Sequence, residues 1–355
     1  MTGRVPAGGA TAASAAAATA LPRRYAILPA VVPLRVPGFL GQARDSDFVL
    51  APDAIDCRDW FAAFAARVID AVEGRRYLPV CRMSDGEFLL LFGPQPPSPR
   101  YPLGRRLYEQ ARYLRSAWRY RRRGLQAFTA RGVSSGDLSA AEIRAVRPAM
   151  AAGFAEVARR GVLGLHLSYG DVPHAEQFFP SLAGWLAAAG ITLTPFNYVP
   201  FYFVYALLRG PTFAELIGGR RVLVVHSAVD GKRRAITAAL QTAGASGVEW
   251  MRISPSRAFD ERLDLGAVHA QPDLVLLGAG VGKGLLFGQL EPLGVPCLDA
   301  GFAFEVWADP DKQWDRPYMT PDTDFDPARV RFLPPEKRAL LHAARRHHEE
   351  RGHDR

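Results

Sequence analysis

From Gly219 onward the chain keeps one rhythm, and that rhythm restricts the fold more than any other feature. Four short apolar runs, RVLVVHS (221–227), VEWMRIS (248–254), DLVLLGAG (273–280) and VPCLDAG (295–301), alternate with helical segments near 232–243 and 284–291 and a short helix after 254. Strands that are apolar on both faces belong in sheets covered on both sides, which is what crossover helices provide. The alternation therefore predicts an α/β, Rossmann-like fold, with a mostly parallel sheet flanked by helices.

The first half is less regular. Trp60, Phe61, Phe64, Val68, Ile69 and Val72 follow helical spacing over 56–72, and Gly74 stands where a C-cap would end the helix. A buried strand is expected at 77–83, helices at 103–123 and 139–160, and a strand VLGLHL at 162–167 after Gly161. The aromatic run 196–208 suits helix or strand, its second half leaning to helix. Residues 1–24 are Ala-, Gly- and Thr-rich without the Leu, Ile or Val of a signal-peptide core and read as a disordered tail. One domain over 25–335 and a basic helix or tail over 336–355 complete the division.

No window has the roughly 18 strongly apolar residues of a membrane span. Cys57, Cys81 and Cys297 are odd in number, far apart and outside any CxxC pattern, so neither a disulfide framework nor a zinc site is indicated. A reducing cytoplasm fits. The net charge of +9 is concentrated at 100–123, with nine Arg against one Glu. There Leu103, Leu107, Ala111, Leu114 and Trp118 form one stripe among arginines and Tyr108, Tyr113 and Tyr120. Such a face suits anionic lipid, nucleic acid, or plain packing on the core. Without an RNP, KH or helix-turn-helix signature, no nucleic-acid partner is expected.

Ligands of open parallel sheets bind beyond the carboxyl ends of the strands, where Asp85, Glu87, His226, Ser227 and the Gly278 loop fall. In an extended or turn conformation, Asp85 and Glu87 project to similar sides, with Gly86 leaving room between them. Two carboxylates so placed suit a hard cation, Mg²⁺ or Mn²⁺, that also holds substrate phosphates. The plainer alternative is a helix start, with Ser84 or Asp85 as N-cap and Glu87 near the dipole. The loop GAGVGKG (278–284) sits between strand and helix, where backbone N–H groups cradle phosphate, but it misses both the P-loop and the GxGxxG patterns. Lys232, Arg233 and Arg234 would neutralise a diphosphate or simply face solvent. His166, His174 and His269 lack metal-ligand spacing.

Arg82-Met83-Ser84-Asp85-Gly86-Glu87-Phe88 resembles the R-x-G-D-G-E-F signature of bacterial GT-D-fold glycosyltransferases, and the order of elements over 56–310 is similar. Ser84 stands where that family usually has glycine. The resemblance implies that Asp85 and Glu87 bind a divalent metal, that Arg82 orients them or touches phosphate, and that the donor is a UDP-sugar or a similar nucleotide sugar. LDAG (298–301) matches an Asp and Gly pair often seen in that family.

The expectation is thus a cytoplasmic hexosyltransferase using Mn²⁺ or Mg²⁺ in bacterial polysaccharide biosynthesis. It would act on a polysaccharide, glycoprotein or lipid-linked glycan, with 103–123 in reach of the inner membrane face. Arg82, Ser84, Gly86, His226, Ser227, Lys232, Gly278, Gly280 and Asp299 would line the donor site, and Asp171, Glu176 and Asp299 are the candidate acid/base residues. Two rivals stand beside it. One is an enzyme dependent on S-adenosylmethionine or a dinucleotide bound by the Gly278 loop, and the other is a non-catalytic glycan or nucleic-acid binder.

Overall fold

The computed structural model describes residues 57–97, 103–125, 138–165, 172–191, 193–194, 196–210 and 212–315. The terminal segments 1–24 and 336–355, and the domain limits 25 and 335, lie outside them. The apolar runs form seven strands: β1 (Pro79–Met83), β2 (Val162–Leu165), β3 (Tyr198–Pro200), β4 (Arg221–His226), β5 (Gly247–Arg252), β6 (Leu274–Gly278) and β7 (Cys297–Asp299). They make one sheet in the order β3-β2-β1-β7-β6-β4-β5, and every pairing is parallel. The fold is α/β and Rossmann-like.

Burial follows position in the sheet. Every residue of β1, β2 and β7 is buried, whereas each residue of the edge strand β5 is half-buried or exposed. The other edge, β3, is three residues long and ends on Pro200, a residue tolerated at an edge because it has no N–H to give to a ladder. Between them one apolar cluster runs through sheet and helices, with Val80, Leu163, Val224 and Leu276 fully buried.

The helices among the described residues are α1 (Cys57–Glu73), α2 (Asp85–Phe92), α3 (Leu103–Arg123), α4 (Ala140–Arg160), α5 (Val172–Ala188), α6 (Phe201–Arg209), α7 (Thr212–Ile217), α8 (Asp230–Thr242), α9 (Lys283–Leu290) and α10 (Ala303–Ala308). Crossovers in parallel sheets are right-handed, so connections running in opposite directions along the sheet lie on opposite faces. The connections β1 to β2 and β6 to β7 run one way, and α4 packs on α9 and α2. The connection from β4 to β5 runs the other way, and there α8 packs on α10, which also touches α6. The strand order reverses between β1 and β7. Chain leaving β1 enters the first helical layer and chain leaving β7 enters the second, which opens a crevice at their carboxyl ends.

Two differences from the sequence reading bear on function. The segment after β1 is helical from Asp85, not extended. Residues 172–188 form α5, which the sequence did not announce.

Candidate functional site

β1 ends on the consecutive residues Arg82 and Met83, and β7 ends on Asp299, directly across the crevice. Arg82 is held by Asp299 at three atoms. Its backbone N–H donates to Oδ2 (3.1 Å), its Nε to the Asp299 carbonyl (3.0 Å), and a terminal guanidinium nitrogen to Oδ1 (2.8 Å). The guanidinium also lies 4.0 Å from the centre of the Tyr205 ring, a cation–π contact from α6.

The second cation of the site is Lys283, at the start of α9. Its ammonium lies 2.7 Å from Glu87 Oε1 and 2.8 Å from Asp299 Oδ2. Glu87 Oε2 accepts from the Ser84 backbone N–H (2.8 Å) and from the Ser84 hydroxyl (3.3 Å), the contacts of a helix-start capping box. Arg82, Glu87, Lys283 and Asp299 are thus one quartet of two cations and two anions, each 6% exposed or less. Burial opposes ionisation of Asp299, but Arg82 and Lys283 outweigh it and hold its carboxyl below the usual range. Burial likewise works against charge on Lys283, and Asp299 with Glu87 overrides it and raises its pKa. All the charges of the quartet that shift are therefore fixed in their ionised forms.

Close packing protects this arrangement. Gly301 adopts φ +43°, and a Cβ there would overlap the Arg82 guanidinium. Gly284 presses on the Phe154 ring, with room for a Cβ only at 3.0–3.2 Å. A larger residue at 301 would push the Arg82 guanidinium out of register, and one at 284 would have to displace the Phe154 ring.

The geometry revises several expectations. Position 85 is the first residue of α2, so 85 and 87 are about 200° apart around the helix axis and do not share a side as an extended segment would require. The helix-start reading of SDGE describes the backbone, with Ser84 as N-cap. Glu87 does not fit a divalent cation. Its two oxygens already take a backbone donor, a hydroxyl and an ammonium, and that ammonium would repel a second cation. No cluster of three or more potential metal ligands occurs among the described residues. The Asp85 side chain and Asp171 lie outside the described parts, and of Glu176 the structure gives only its place in α5.

The Gly278 loop is filled with protein. A Cβ at Gly278 would strike His226 and the Phe304 ring at 2.7 Å, and one at Gly282 would meet the Ala258–Phe259 backbone at 2.6–2.8 Å. Gly280, at φ +52°, makes the turn between β6 and α9. Gly278 and Gly282 therefore serve close packing, and Gly280 serves the turn.

His226 ends β4. Its Nδ1 accepts the Ala228 N–H (2.8 Å) and its ring packs on Phe304. Burial, and then the nearby Lys232, lower its pKa to about 4, so the ring is neutral and carries its proton on Nε2. Half-buried Ser227 follows it, while Lys232 pairs with Glu305 of α10 and Arg233 lies over Trp250. These cations have protein partners and lie apart from the quartet. His269 is exposed beside Glu249, and Cys81 and Cys297 are buried free thiols.

Lys283 is the residue of the quartet that sequence reasoning missed. Its only signal was a lone cation inside the glycine-rich GAGVGKG loop, which packs closely on Phe154, Phe304 and the 258–259 backbone. Compared with known proteins, the chain matches no family model, no curated protein and no solved structure.

Proposed function

We propose that this chain is a glycosyltransferase whose nucleoside-diphosphate sugar donor, a UDP-sugar in the first instance, docks in the crevice between β1 and β7. One observation carries the reading. The segment Arg82–Phe88, which resembles the GT-D signature, lies at the reversal point of the parallel sheet with two of its side chains built into a buried ionic quartet. Burying such a quartet is costly unless it holds something in place, and what it holds is the turn from β1 into α2.

The reaction asked of the site is modest in its parts. The bond from the sugar C1 to the diphosphate oxygen breaks, the acceptor hydroxyl bonds to C1, and its proton passes to a base. Negative charge gathers on the leaving diphosphate, and the fixed backbone dipoles of the β1–α2 turn stabilise it without reorganising. Arg82 and Lys283 fix the β1–α2 turn, so that the backbone of residues 84–86 meets the donor in one conformation. Asp299 is withdrawn from the list of bases, because it is buried, ionised and bound to both cations. His226, expected to line the donor site, is no base either, because its acceptor nitrogen Nδ1 already takes the Ala228 N–H. Asp171 and Glu176 remain. Because Glu87 does not fit a metal, no step is routed through Mn²⁺ or Mg²⁺.

The test is a thermal-shift panel of nucleotide sugars, nucleotides and S-adenosylmethionine, with Mn²⁺ or with a chelator, on the wild type and Asp85→Ala. A donor at about 100 times its dissociation constant adds roughly 2.7 kcal/mol, a shift of several degrees. The expected result is stabilisation by a UDP-sugar that persists with the chelator. Stabilisation by S-adenosylmethionine alone, indifferent to Asp85, would overturn the reading in favour of a cofactor enzyme. Donor binding without any transfer or hydrolysis would leave a binding module.

A further inference from the structure

Helix α3 is 21 residues long and contains no buried residue. At 100° per residue, Leu103, Leu107, Leu114 and Trp118 fall within a stripe about 60° wide. Their exposures are 73%, 63%, 58% and 55%, so this stripe is not the face that holds α3 to the protein. The half-buried positions 109, 110, 113, 116, 117 and 120 form the adjoining face, turned towards the body. On it the Tyr120 hydroxyl donates to the Leu89 carbonyl (2.7 Å) and accepts from Arg147 (3.0 Å).

Arg115 and Arg122 flank the apolar stripe, and Arg112, Arg119 and Arg123 fill the far side, all exposed. The Arg122 guanidinium lies 4.4 Å from the centre of the exposed Trp118 ring, which pairs an amphipathic anchor with a cation at the stripe's edge. A partner for this face must be both apolar and anionic. A second copy of the chain would bring the same positive charge against it. The segments 1–56 and 316–355 carry no net negative charge, so neither neutralises it. A nucleic acid would engage the arginines but leave the leucines without a role.

We propose that α3 is a docking helix for an anionic lipid surface. It lies in the headgroup plane, with the Leu103–Leu107–Leu114–Trp118 stripe inserted and the flanking arginines on lipid phosphates. It lies on the bilayer and does not cross it, since no helix among the described residues is long and apolar enough to span. The inference rests on α3 and not on the chemistry of the crevice, so either can fail alone.

The experiment is co-sedimentation of the full chain with phosphatidylcholine vesicles that contain about one-third phosphatidylglycerol or none. Binding is expected only with the anionic lipid and should vanish in roughly 1 M salt, where screening acts within about 3 Å. Leu107→Ser with Trp118→Ser should weaken it at least about tenfold with an unchanged melting temperature, because both side chains are already in water. Arg115→Glu with Arg122→Glu should do the same, since each surface arginine adds about fivefold. Failure to bind, equal binding to neutral vesicles, or binding that ignores the Leu107/Trp118 change would overturn the proposal. So would single-stranded RNA binding more tightly than the vesicles, or a dimer that the Leu107/Trp118 change dissolves.

Discussion

Arg82 and the arginines of α3 carry the same side chain into opposite environments. Arg82 is 6% exposed, held by Asp299 through three hydrogen bonds and capped by an aromatic ring, in a quartet whose formal charges sum to zero. Arg115 and Arg119 of α3 stand in water, in a segment with nine Arg against one Glu. Guanidinium charge in the crevice is spent inside the protein and fixes a backbone turn, whereas on α3 it faces outward to whatever anionic surface it meets. The lesson is that charge density along a sequence marks where a protein meets its surroundings, while the crevice is marked by sparse charges brought together by topology.

The sharpest way to break this comparison is to remove one charge from each region. Lys283→Met leaves Glu87 and Asp299 with one cation between them, and uncompensated buried charge typically costs about 3–5 kcal/mol. A fall in melting temperature of roughly 10 °C follows for a domain of this size. Arg119→Ala should stay within about 0.5 kcal/mol. Adding Glu87→Gln to Lys283→Met restores charge balance and should recover at least about 1 kcal/mol, read by denaturant melts as a double-mutant cycle. If Lys283→Met costs no more than Arg119→Ala, the quartet is not an energetic unit.

Acid sharpens the comparison next, because the crevice end of β4 holds a base kept neutral. His226 has a folded pKa of about 4, below the 6.5 of an ordinary histidine. Between these values the unfolded chain binds the proton and the folded chain does not, so stability is lost as pH falls through that window. The loss is on the order of 2–3 kcal/mol by about pH 4. His226→Asn, which keeps an acceptor near the Ala228 N–H, should flatten the melting-temperature profile between pH 6.5 and 4. Arg119→Ala, the matching change on α3, should leave the profile as it was. An unchanged slope in His226→Asn would assign the acid sensitivity to the carboxylates.

What was legible in the sequence divides along the same line. The strands 221–227, 273–280 and 295–301, the helices 56–72, 103–123 and 139–160, and the helical second half of 196–208 announce themselves, because burial on both faces or on one stripe leaves a local pattern. α5 left none. Pro180 lies inside it and Pro173 near its start, and interior proline reads as a break. Glu87 was legible as important, but the partner that defines it lies 196 residues away, and no local spacing encodes a contact made by sheet topology. The pairing premise for Asp85 and Glu87 failed for a related reason. The choice between turn and helix at Ser84 is made by the capping contact with Glu87 and by packing of α2 on α4 and β1.

The smallest expected effect concerns the joint between the two regions. Tyr120 ties α3 to Leu89 of α2, two residues beyond Glu87, so only about 3 Å of helix rise separates the joint from the crevice. Tyr120→Phe removes a hydroxyl that donates to Leu89 and accepts from Arg147, whose own Nε remains on the Leu90 carbonyl. Loss of one such bond, with the Leu89 carbonyl still accepting the Gly93 N–H, costs about 1 kcal/mol, a few degrees at most. The informative readout is local. Trypsin should cut faster at the arginines of α3 while the sheet melts nearly as before, because α3 opens without disturbing the core. If α3 resists trypsin as well as in the wild type, its half-buried face is held by more than Tyr120, and the docking helix and the crevice move as one body. If α3 is released, the joint is a single hydroxyl, and lipid-bound α3 would swing relative to the crevice it serves.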